Sequence, residues 1–230
     1  TGVKVEAIAA TSPGTQDKKA RLRSCLETAA TLYQERLRAT PTAQEYLRSR
    51  HVPEEQWEKF GLGFAPDSFS DTYQHLLKAG CSRQEIVDAS MAIQKDLSEG
   101  RVYDRFRNRL MFPICDVQGR IVGFGGRTLG DDDAKYINSG ETLLYNKSHI
   151  LFGYHHARDA IRDTKTVILV EGYFDVLACH RVGVENVVAV SGTALTTDHV
   201  RLLKRTAETV VLCLDEDRAG AEAAERAFQL

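Results

Sequence analysis

The sequence has no long apolar run and no leader segment. None of its apolar stretches approaches the roughly 18 uncharged residues of a membrane-spanning helix. The N-terminus lacks the basic-then-apolar order of a signal peptide. These absences predict a globular protein without a membrane segment, and the expected location is the cytoplasm.

The sequence also lacks an excess of either charge and lacks closely spaced cysteines. Its 30 basic and 32 acidic side chains give a net charge of -2, which does not by itself predict binding to nucleic acid. The cysteines are spread along the chain without the CxxC pairs that hold zinc or form a redox couple, at positions 25, 81, 115, 179 and 213. We therefore expect no zinc site and five reduced cysteines that only pack.

The first 160 residues mix helical and strand patterns. Apolar side chains recur at spacings of three and four from Leu22 to Leu37 and predict a long helix that begins near Gln16. Residues 105–114 and 120–129, rich in Phe, Ile and Val, flank a polar turn and predict an antiparallel hairpin.

Helix starts are marked at two places in this part of the chain. Thr40 is expected to cap a helix in which Pro41 takes the first position. Ser82 and Glu85 have the spacing of a capping box.

From Thr166 onward, short apolar runs alternate with helical segments. The runs are TVILV, NVVAV and TVVLCL, and each precedes an amphipathic segment. Such alternation is typical of a parallel sheet with crossover helices. The predicted fold is an α+β part over residues 1–160 followed by a parallel-sheet α/β part over 161–230. Because the chain begins at Thr1 and stops at Leu230 inside a predicted helix, we expect it to be a truncated piece of a longer protein.

Acidic side chains follow the ends of the predicted parallel strands. Glu171 comes directly after the first run, with Asp175 one helical turn later, and Asp215 and Asp217 follow the third run. The carboxyl ends of parallel strands gather at one edge, so these side chains are expected to converge there with residues 191–193. Clustered carboxylates need a neutralising cation, and oxygen ligands without His or Cys favour Mg²⁺ or Mn²⁺. Such a site suits phosphoryl transfer.

Other interpretations of these acids remain open. A single carboxylate after a strand commonly caps the next helix or interacts with its dipole, which applies to Glu171 taken alone. Asp175 fits a capping or supporting role as well as it fits metal ligation. Because all the acids follow strongly apolar strands of one predicted sheet, we favour the metal site.

Basic side chains are concentrated between residues 101 and 147. Arg105, Arg107 and Arg109 alternate along the chain and would share one face of a strand. A solvated charged face explains most such runs, but Asp104 is the only acid between residues 101 and 115. We therefore predict phosphate contacts and a cleft in which basic residues face the acids. The other candidate contacts are Arg127, Lys135, Asn138 and Lys147.

Two further patterns predict structure rather than chemistry. The glycines of GFGG at 123–126 fit neither a P-loop nor a dinucleotide fingerprint, and we expect them where a strand bends. His155, His156, His180 and His199 have no ligand-spaced partners and are expected on helix surfaces.

Six motifs together resemble the catalytic core of bacterial DNA primases. Three of them, EGYFDV, SGTALTTDHVRLLKR and LDEDRAGAEAAERAF, are similar to the TOPRIM segment of that family. The other three, RFRNRLMFPI, GFGGRTL and KYINSGET, are similar to the N-terminal part of the same core. The likeness runs in unbroken order from about residue 33 to residue 230, so we identify the chain as a member of this family.

The resemblance implies a DNA-directed RNA polymerase that makes short primers at a replication fork. It implies that Mg²⁺ or Mn²⁺ is held by Glu171, Asp215 and Asp217, with Asp175 as an accessory catalytic acid. It places template and nucleotide contacts on Arg105, Arg107, Arg127, Lys135, Asn138 and Lys147. The implied partners are single-stranded DNA, nucleoside triphosphates and the RNA primer, with a replicative helicase bound through regions outside this chain. We expect a monomer.

The sequence departs from the family pattern in three respects. Asp215-Glu216-Asp217 stands where the family usually has Asp-Gly-Asp, the family's zinc-binding module is absent, and an expected further acidic pair lies beyond Leu230. We therefore expect this chain alone to bind metal weakly and to have little polymerase activity.

Other functions of TOPRIM proteins remain alternatives. A topoisomerase needs a tyrosine nucleophile, and Tyr33, Tyr46 and Tyr73 lie in predicted helices without a matching context. A nuclease is a second possibility, and a non-catalytic nucleic-acid-binding module is a third. The complete set of one Glu and Asp-x-Asp argues against the third.

Overall fold

The computed structural model describes residues 13–95, 100–192 and 194–216, together with the single residues 220, 225 and 227. The helices are α1 (Pro13–Arg38), α2 (Pro41–Ser49), α3 (Glu54–Lys59), α4 (Asp71–Lys78), α5 (Arg83–Asp88), α6 (Tyr154–Thr164), α7 (Tyr173–Arg181) and α8 (Thr197–Leu203), with a 3₁₀ turn at Lys147–His149. The strands are β1 (Gly63–Ala65), β2 (Ala92–Gln94), β3 (Val102–Asp104), β4 (Arg109–Cys115), β5 (Ile121–Thr128), β6 (Tyr136–Asn138), β7 (Thr166–Val170), β8 (Val187–Ala189) and β9 (Thr209–Leu212).

Helix α1 confirms the long helix predicted from apolar spacing. Leu22, Leu26 and Tyr33 on its stripe are almost completely buried. Burial of each such side chain contributes roughly 1.5–3 kcal/mol relative to exposure. The helix packs on β1 and β5, and Gly63 allows the close approach because a Cβ at that position would overlap Tyr33.

The two predicted helix starts differ in outcome. The capping box is confirmed, since the Ser82 hydroxyl accepts from the Glu85 amide and the Glu85 carboxylate accepts from the Ser82 amide. Pro41 takes the first position of α2 and Thr40 takes the N-cap position as predicted, but the Thr40 hydroxyl forms no capping hydrogen bond with that helix. The hydroxyl donates instead to the carbonyl oxygen of Arg36 at 2.7 Å, because α1 ends directly before it.

The first sheet is antiparallel with strand order β1-β4-β5-β6, and its central hairpin β4–β5 confirms the predicted one. A separate antiparallel pair joins β2 and β3. The prediction that Arg105, Arg107 and Arg109 share one face of a strand is wrong. Only Arg109 belongs to β4, because Asn108 takes a left-handed conformation with φ of 48° that ends the pleat.

Arg109 points into the protein rather than into solvent. It is 3% exposed, forms a 2.7 Å ion pair with Asp132 and donates to the carbonyl oxygen of Gly126. This residue therefore stabilises the sheet and the loop before β6.

The second sheet is parallel, as predicted, with strand order β8-β7-β9. Helices α6, α7 and α8 alternate with its strands. Among the residues that the structure describes, β9 pairs only with β7, and Val210 and Val211 on it are exposed. The helix predicted over 218–230 lies almost wholly outside the described residues. None of the described helices combines the length and apolarity needed to cross a membrane.

The cysteine prediction is wrong for three of the five residues. Cys25 of α1 and Cys81 before α5 form a disulfide, because the packing of α1 on α5 places the two side by side. Cys213 is exposed, whereas Cys115 and Cys179 are partly buried free thiols. Two histidine predictions are also wrong, since His180 and His199 are buried.

Candidate active site

A cleft of about 810 Å³ lies at the carboxyl ends of the parallel strands, between that sheet and β6. Its acidic lining, the acidic wall, consists of side chains that follow β7 and β9. Its basic and amide lining, the basic wall, comes from the end of α2, the loop after β3, β6 with the residue before it, and the 3₁₀ turn. The charged and amide residues that line the cleft are Arg50, Arg105, Lys135, Asn138, Lys147, Glu171, Asp175 and Asp215. Residues far apart in sequence therefore place opposite charges across one space.

The acidic wall is organised by a hydrogen bond between two strand ends. The Glu171 carboxylate accepts from the backbone N–H of Asp215 at 2.9 Å. Among the described residues, none forms an ion pair with Glu171, Asp175 or Asp215. The third predicted ligand, Asp217, lies outside the described residues. The carboxylates of Glu171, Asp175 and Asp215 therefore line the cleft without an ion pair to any described side chain.

Asp175 caps the start of α7. Its carboxylate accepts from the backbone N–H of Gly172 at 2.8 Å, which satisfies one of the free amides at the helix start. The capping interpretation left open by the sequence therefore matches the observed contact. Asp175 also lines the cleft, together with Glu171.

Gly220 is a part of the acidic wall that sequence reasoning missed. A Cβ at this position would overlap the carbonyl oxygen of Asp215 and would lie 3.2 Å from Oε1 of Glu171. The backbone after β9 thus packs against the acidic pair at a point where only glycine fits. The glycine within the alanine-rich segment that follows Asp217 was the available signal.

The basic wall contains three of the predicted cations and one that was not predicted. The guanidinium group of Arg105 donates two hydrogen bonds, of 3.1 and 2.9 Å, to the backbone carbonyl oxygen of Asn138. Burial lowers the pKa of Arg105. Lys135 and Lys147 line the cleft without a described carboxylate partner. Arg50, at the end of α2, stacks over Phe174 at 5.0 Å and was not predicted because nothing in its local sequence marks it.

Two predicted contacts do not line this cleft. Arg127 stacks over the ring of Tyr46 at 4.5 Å and donates to the carbonyl oxygen of Thr128. Arg107 donates to the carbonyl oxygen of Asp104 at 2.6 Å and lies over the ring of Phe69 at 4.7 Å. Arg127 nevertheless lies beside the cleft, because it pairs with Tyr136 between β5 and β6 and its guanidinium is 5.9 Å from the centre of that ring, which lines the cleft.

Asn138 connects the two sheets. Its side chain donates to the carbonyl oxygen of Ser191 at 2.8 Å and accepts from the hydroxyl of Tyr173 at 2.6 Å. The buried ring of Tyr173 lies against Gly125, where a Cβ would overlap its hydroxyl. The GFGG glycine expected at a strand bend is therefore a packing point for a side chain of the other sheet.

The donor set suits a hard divalent cation. Glu171 and Asp215 both line the cleft, the Glu171 carboxylate lies against the backbone of Asp215, and the lining contains no histidine or cysteine. Within the described part of the chain, no three His, Cys, Asp or Glu side chains are grouped closely enough to hold a metal ion. The two acids therefore fit part of a magnesium-type site, and Asp217 would be needed to extend it.

Both family models and curated relatives that match this chain describe DNA primases or the Toprim domain. The family model described as the N-terminal domain of the DNA primase catalytic core matches residues 32–158, and the Toprim domain model matches residues 165–230. A DNA primase of Halalkalibacterium halodurans is 44% identical over 185 residues, which cover 80% of this chain and 31% of that protein. A DNA primase of Synechococcus elongatus is 44% identical over 217 residues, which cover 92% of this chain and 31% of that protein.

The fold comparison gives the same result. A solved structure of the DnaG primase catalytic domain bound to ssDNA has a TM-score of 0.84 and 38% identity, covering 93% of this chain and 67% of that one. This chain spans about a third of the length of the curated relatives it matches.

Proposed function

This chain belongs to the family of DNA primase catalytic cores, as its six motifs predicted, and we propose that it carries the nucleotidyl-transfer centre of a primase. The proposed activity is DNA-templated synthesis of short RNA primers for replication. We also propose a division into a basic α+β unit over residues 1–160 and a Toprim unit over 161–230. The change from an antiparallel to a parallel sheet between β6 and β7 supports this division.

The observation that carries the proposal is the placement of opposite charges across one cleft. Lys135, Lys147 and Arg105 line the same cleft as Glu171 and Asp215. Phosphate groups of a template or a nucleotide are attracted to the basic wall. The reacting phosphate would then lie between that wall and the carboxylates.

The basic and the acidic residues of the cleft are proposed to have different roles in phosphoryl transfer. The lysines and Arg105 are proposed to orient and neutralise phosphate groups while the new phosphodiester bond forms and pyrophosphate leaves. Glu171 and Asp215, together with Asp217, are proposed to hold Mg²⁺ or Mn²⁺. A bound ion of this kind aligns phosphate oxygens and stabilises the charge that develops on them.

Asp175 is proposed to act as an accessory acid that fixes the start of α7 beside Glu171. Arg107 and Arg127 are proposed to contact the template beside the cleft, where their guanidinium groups stack over aromatic rings. The proposed partners are single-stranded DNA, nucleoside triphosphates and the RNA primer. We propose a monomer in the cytoplasm that meets a replicative helicase through regions outside this chain.

The test is a primer-synthesis assay with the full-length protein. Single-stranded template, labelled ribonucleotides and Mg²⁺ are expected to yield short RNA, and Glu171→Gln is expected to abolish it. Cleavage of the DNA without RNA synthesis would favour a nuclease. Binding without either reaction would favour a non-catalytic module. A topoisomerase receives little support, because Tyr33 is 1% exposed and Tyr46 lies beneath Arg127.

A further inference from the structure

Both polar atoms of the Asn138 side chain form a hydrogen bond inside the protein. The side-chain nitrogen donates to the carbonyl oxygen of Ser191, and the side-chain oxygen accepts from the hydroxyl of Tyr173. This orientation is the one that satisfies both partners, because a carbonyl oxygen cannot donate. The backbone carbonyl of Asn138 accepts from Arg105 as well. One residue of β6 therefore reaches both walls of the cleft.

Tyr173 holds the Asn138 side chain from within the core. It is 2% exposed, its ring stacks on Phe112 at 4.7 Å, and it contacts the edge of Phe152 at the same distance. Burial raises the pKa of Tyr173, so its hydroxyl remains a donor. The hydroxyl therefore serves as a donor to the Asn138 side chain.

Ser191 connects Asn138 to Glu171 of the acidic wall through hydrogen bonds of its backbone. Its backbone takes a left-handed conformation with φ of 51°, which is strained for a residue other than glycine. Two hydrogen bonds hold it there: its carbonyl oxygen accepts from Asn138, and its N–H donates to the carbonyl oxygen of Glu171 at 3.0 Å. Tyr173, Asn138, Ser191 and Glu171 are thus linked in one continuous chain of bonds.

We propose that Asn138 is a positioning residue, and that its side chain fixes the Ser191 loop and Glu171 relative to the basic wall instead of contacting the template or the nucleotide. The proposal rests on the proposed function for its kinetic test. It replaces the role that the family resemblance implied for this residue.

The experiment compares Asn138→Ala and Tyr173→Phe, alone and combined, with Tyr154→Phe as the matched control. The control removes another buried hydroxyl that is hydrogen-bonded, to Thr206, but that is not part of this chain of bonds. Three quantities are measured well below the melting temperature of every variant. They are hydrogen exchange of the Ser191 amide by NMR, kcat and KM for ribonucleotides in primer synthesis, and affinity for single-stranded DNA.

We expect Asn138→Ala to speed exchange of the Ser191 amide and to lower kcat, each by about tenfold, the scale of losing one hydrogen bond of about 1.4 kcal/mol. KM and DNA affinity are expected to stay near wild type. Tyr173→Phe should produce the same pattern at smaller amplitude, and the double variant should be no worse than Asn138→Ala, because the two residues act through one bond. Tyr154→Phe should match wild type in all three measurements.

Two results would overturn the proposal. A raised KM or weakened DNA affinity in Asn138→Ala, with Tyr173→Phe at wild-type values, would show that Asn138 contacts a ligand directly. Unchanged exchange and kcat in both variants would show that the linkage positions nothing. If the wild-type protein makes no RNA, the proposed function fails, and exchange at Ser191 alone decides whether Asn138 holds the loop.

Discussion

The carboxylate of Glu171 accepts a 2.9 Å hydrogen bond from the backbone N–H of Asp215, so two positions 44 residues apart in sequence meet at one edge of the parallel sheet. The bond needs only an acceptor oxygen on Glu171, whereas the negative charges of the two side chains serve no described partner. Geometry and charge can therefore be separated by substitution with amides.

Glu171→Gln and Asp215→Asn are predicted to lower primer synthesis by at least about a hundredfold, the scale expected when electrostatic stabilisation at a phosphoryl-transfer centre is lost. A glutamine oxygen can still accept from Asp215, so folding should survive and repulsion between the acids should fall. The measurements are RNA synthesis and a thermal melt. Asp217→Asn is predicted to have the same effect.

The control for these variants is Asp163→Asn, at an exposed acid near the end of α6. It removes one negative charge outside the cleft and should retain wild-type synthesis. Wild-type turnover by a folded Glu171→Gln protein would remove Glu171 from catalysis.

Lys135→Ala and Arg107→Ala are each predicted to weaken binding of single-stranded DNA with little base preference. If each side chain contacts one phosphate, its loss should reduce the slope of log affinity against log salt by about 0.7. The measurement is a binding titration at several salt concentrations. Lys78→Ala, on α4 and outside the lining of the cleft, is the control. Unchanged slopes in both variants would identify these cations as ordinary solvated charges.

The spacing of apolar residues was sufficient to predict helix α1 and the parallel sheet, because each pattern lies within a short stretch of sequence. The spacing of Leu22, Leu26 and Tyr33 predicted α1, and the apolar runs after Thr166 predicted the parallel sheet. The topology of that sheet then predicted that Glu171 and Asp215 would meet. The alternation rule failed at Asn108, since a single left-handed residue ends a pleat without changing the polarity pattern.

Parts of the candidate site depend on contacts between distant elements and could not be predicted. Arg50 reaches the cleft only because α2 packs beside α7, where its guanidinium stacks on Phe174. Gly125 is required because Tyr173 of the other sheet lies against it. A glycine in a strand has the same sequence pattern whether the strand bends or receives a neighbouring ring.

Gly125→Ala is predicted to destabilise the protein by about 1–3 kcal/mol, the usual cost of forcing extra atoms into a packed core. The added methyl group would overlap the hydroxyl of Tyr173. Urea unfolding gives the change in free energy. Gly14→Ala in α1, where a Cβ meets no atom within 4 Å, is the control and should be neutral or slightly stabilising. Equal stability of the two variants would show that Tyr173 moves aside at little cost.

The disulfide between Cys25 and Cys81 predicts a thiol count. Protein prepared without reductant and then denatured should contain three titratable thiols, and reduction should raise the count to five. The closed loop spans 56 residues, so reduction should lower stability by about 4 kcal/mol in the chain-entropy model. Cys25→Ser should remove the effect of reductant on the melting temperature. Five thiols before reduction would contradict the pairing.

Two histidines at the junction of α3, α6 and α7 are held in their neutral form. Burial and the neighbouring His155 and His180 lower the pKa of His156 to about 3. Burial and the ammonium group of Lys59, 3.3 Å from its Nδ1, lower the pKa of His180 to about 4. The ring of Phe60 lies 4.6 Å from His156 and 5.0 Å from His180, measured between ring centres. Protonation of either ring is therefore disfavoured in the folded state.

This arrangement predicts that stability falls on mild acidification. The unfolded chain takes up protons below the ordinary histidine pKa of 6.5, whereas the folded protein does so only near 4 and 3. Within that window the unfolded state binds more protons, so each histidine lowers the free energy of unfolding by about 1.4 kcal/mol per pH unit as pH falls. Above the window both states are neutral, and this loss is absent.

Urea unfolding at a series of pH values should therefore give a steep decline for wild type between about pH 6 and about pH 4. His180→Gln removes one of the two groups, so its slope should be shallower by up to one proton. His51→Gln, at an exposed position, should keep the wild-type slope. A stability profile that is flat across this window in wild type, or equally steep in His180→Gln, would show that the junction accepts the charged rings.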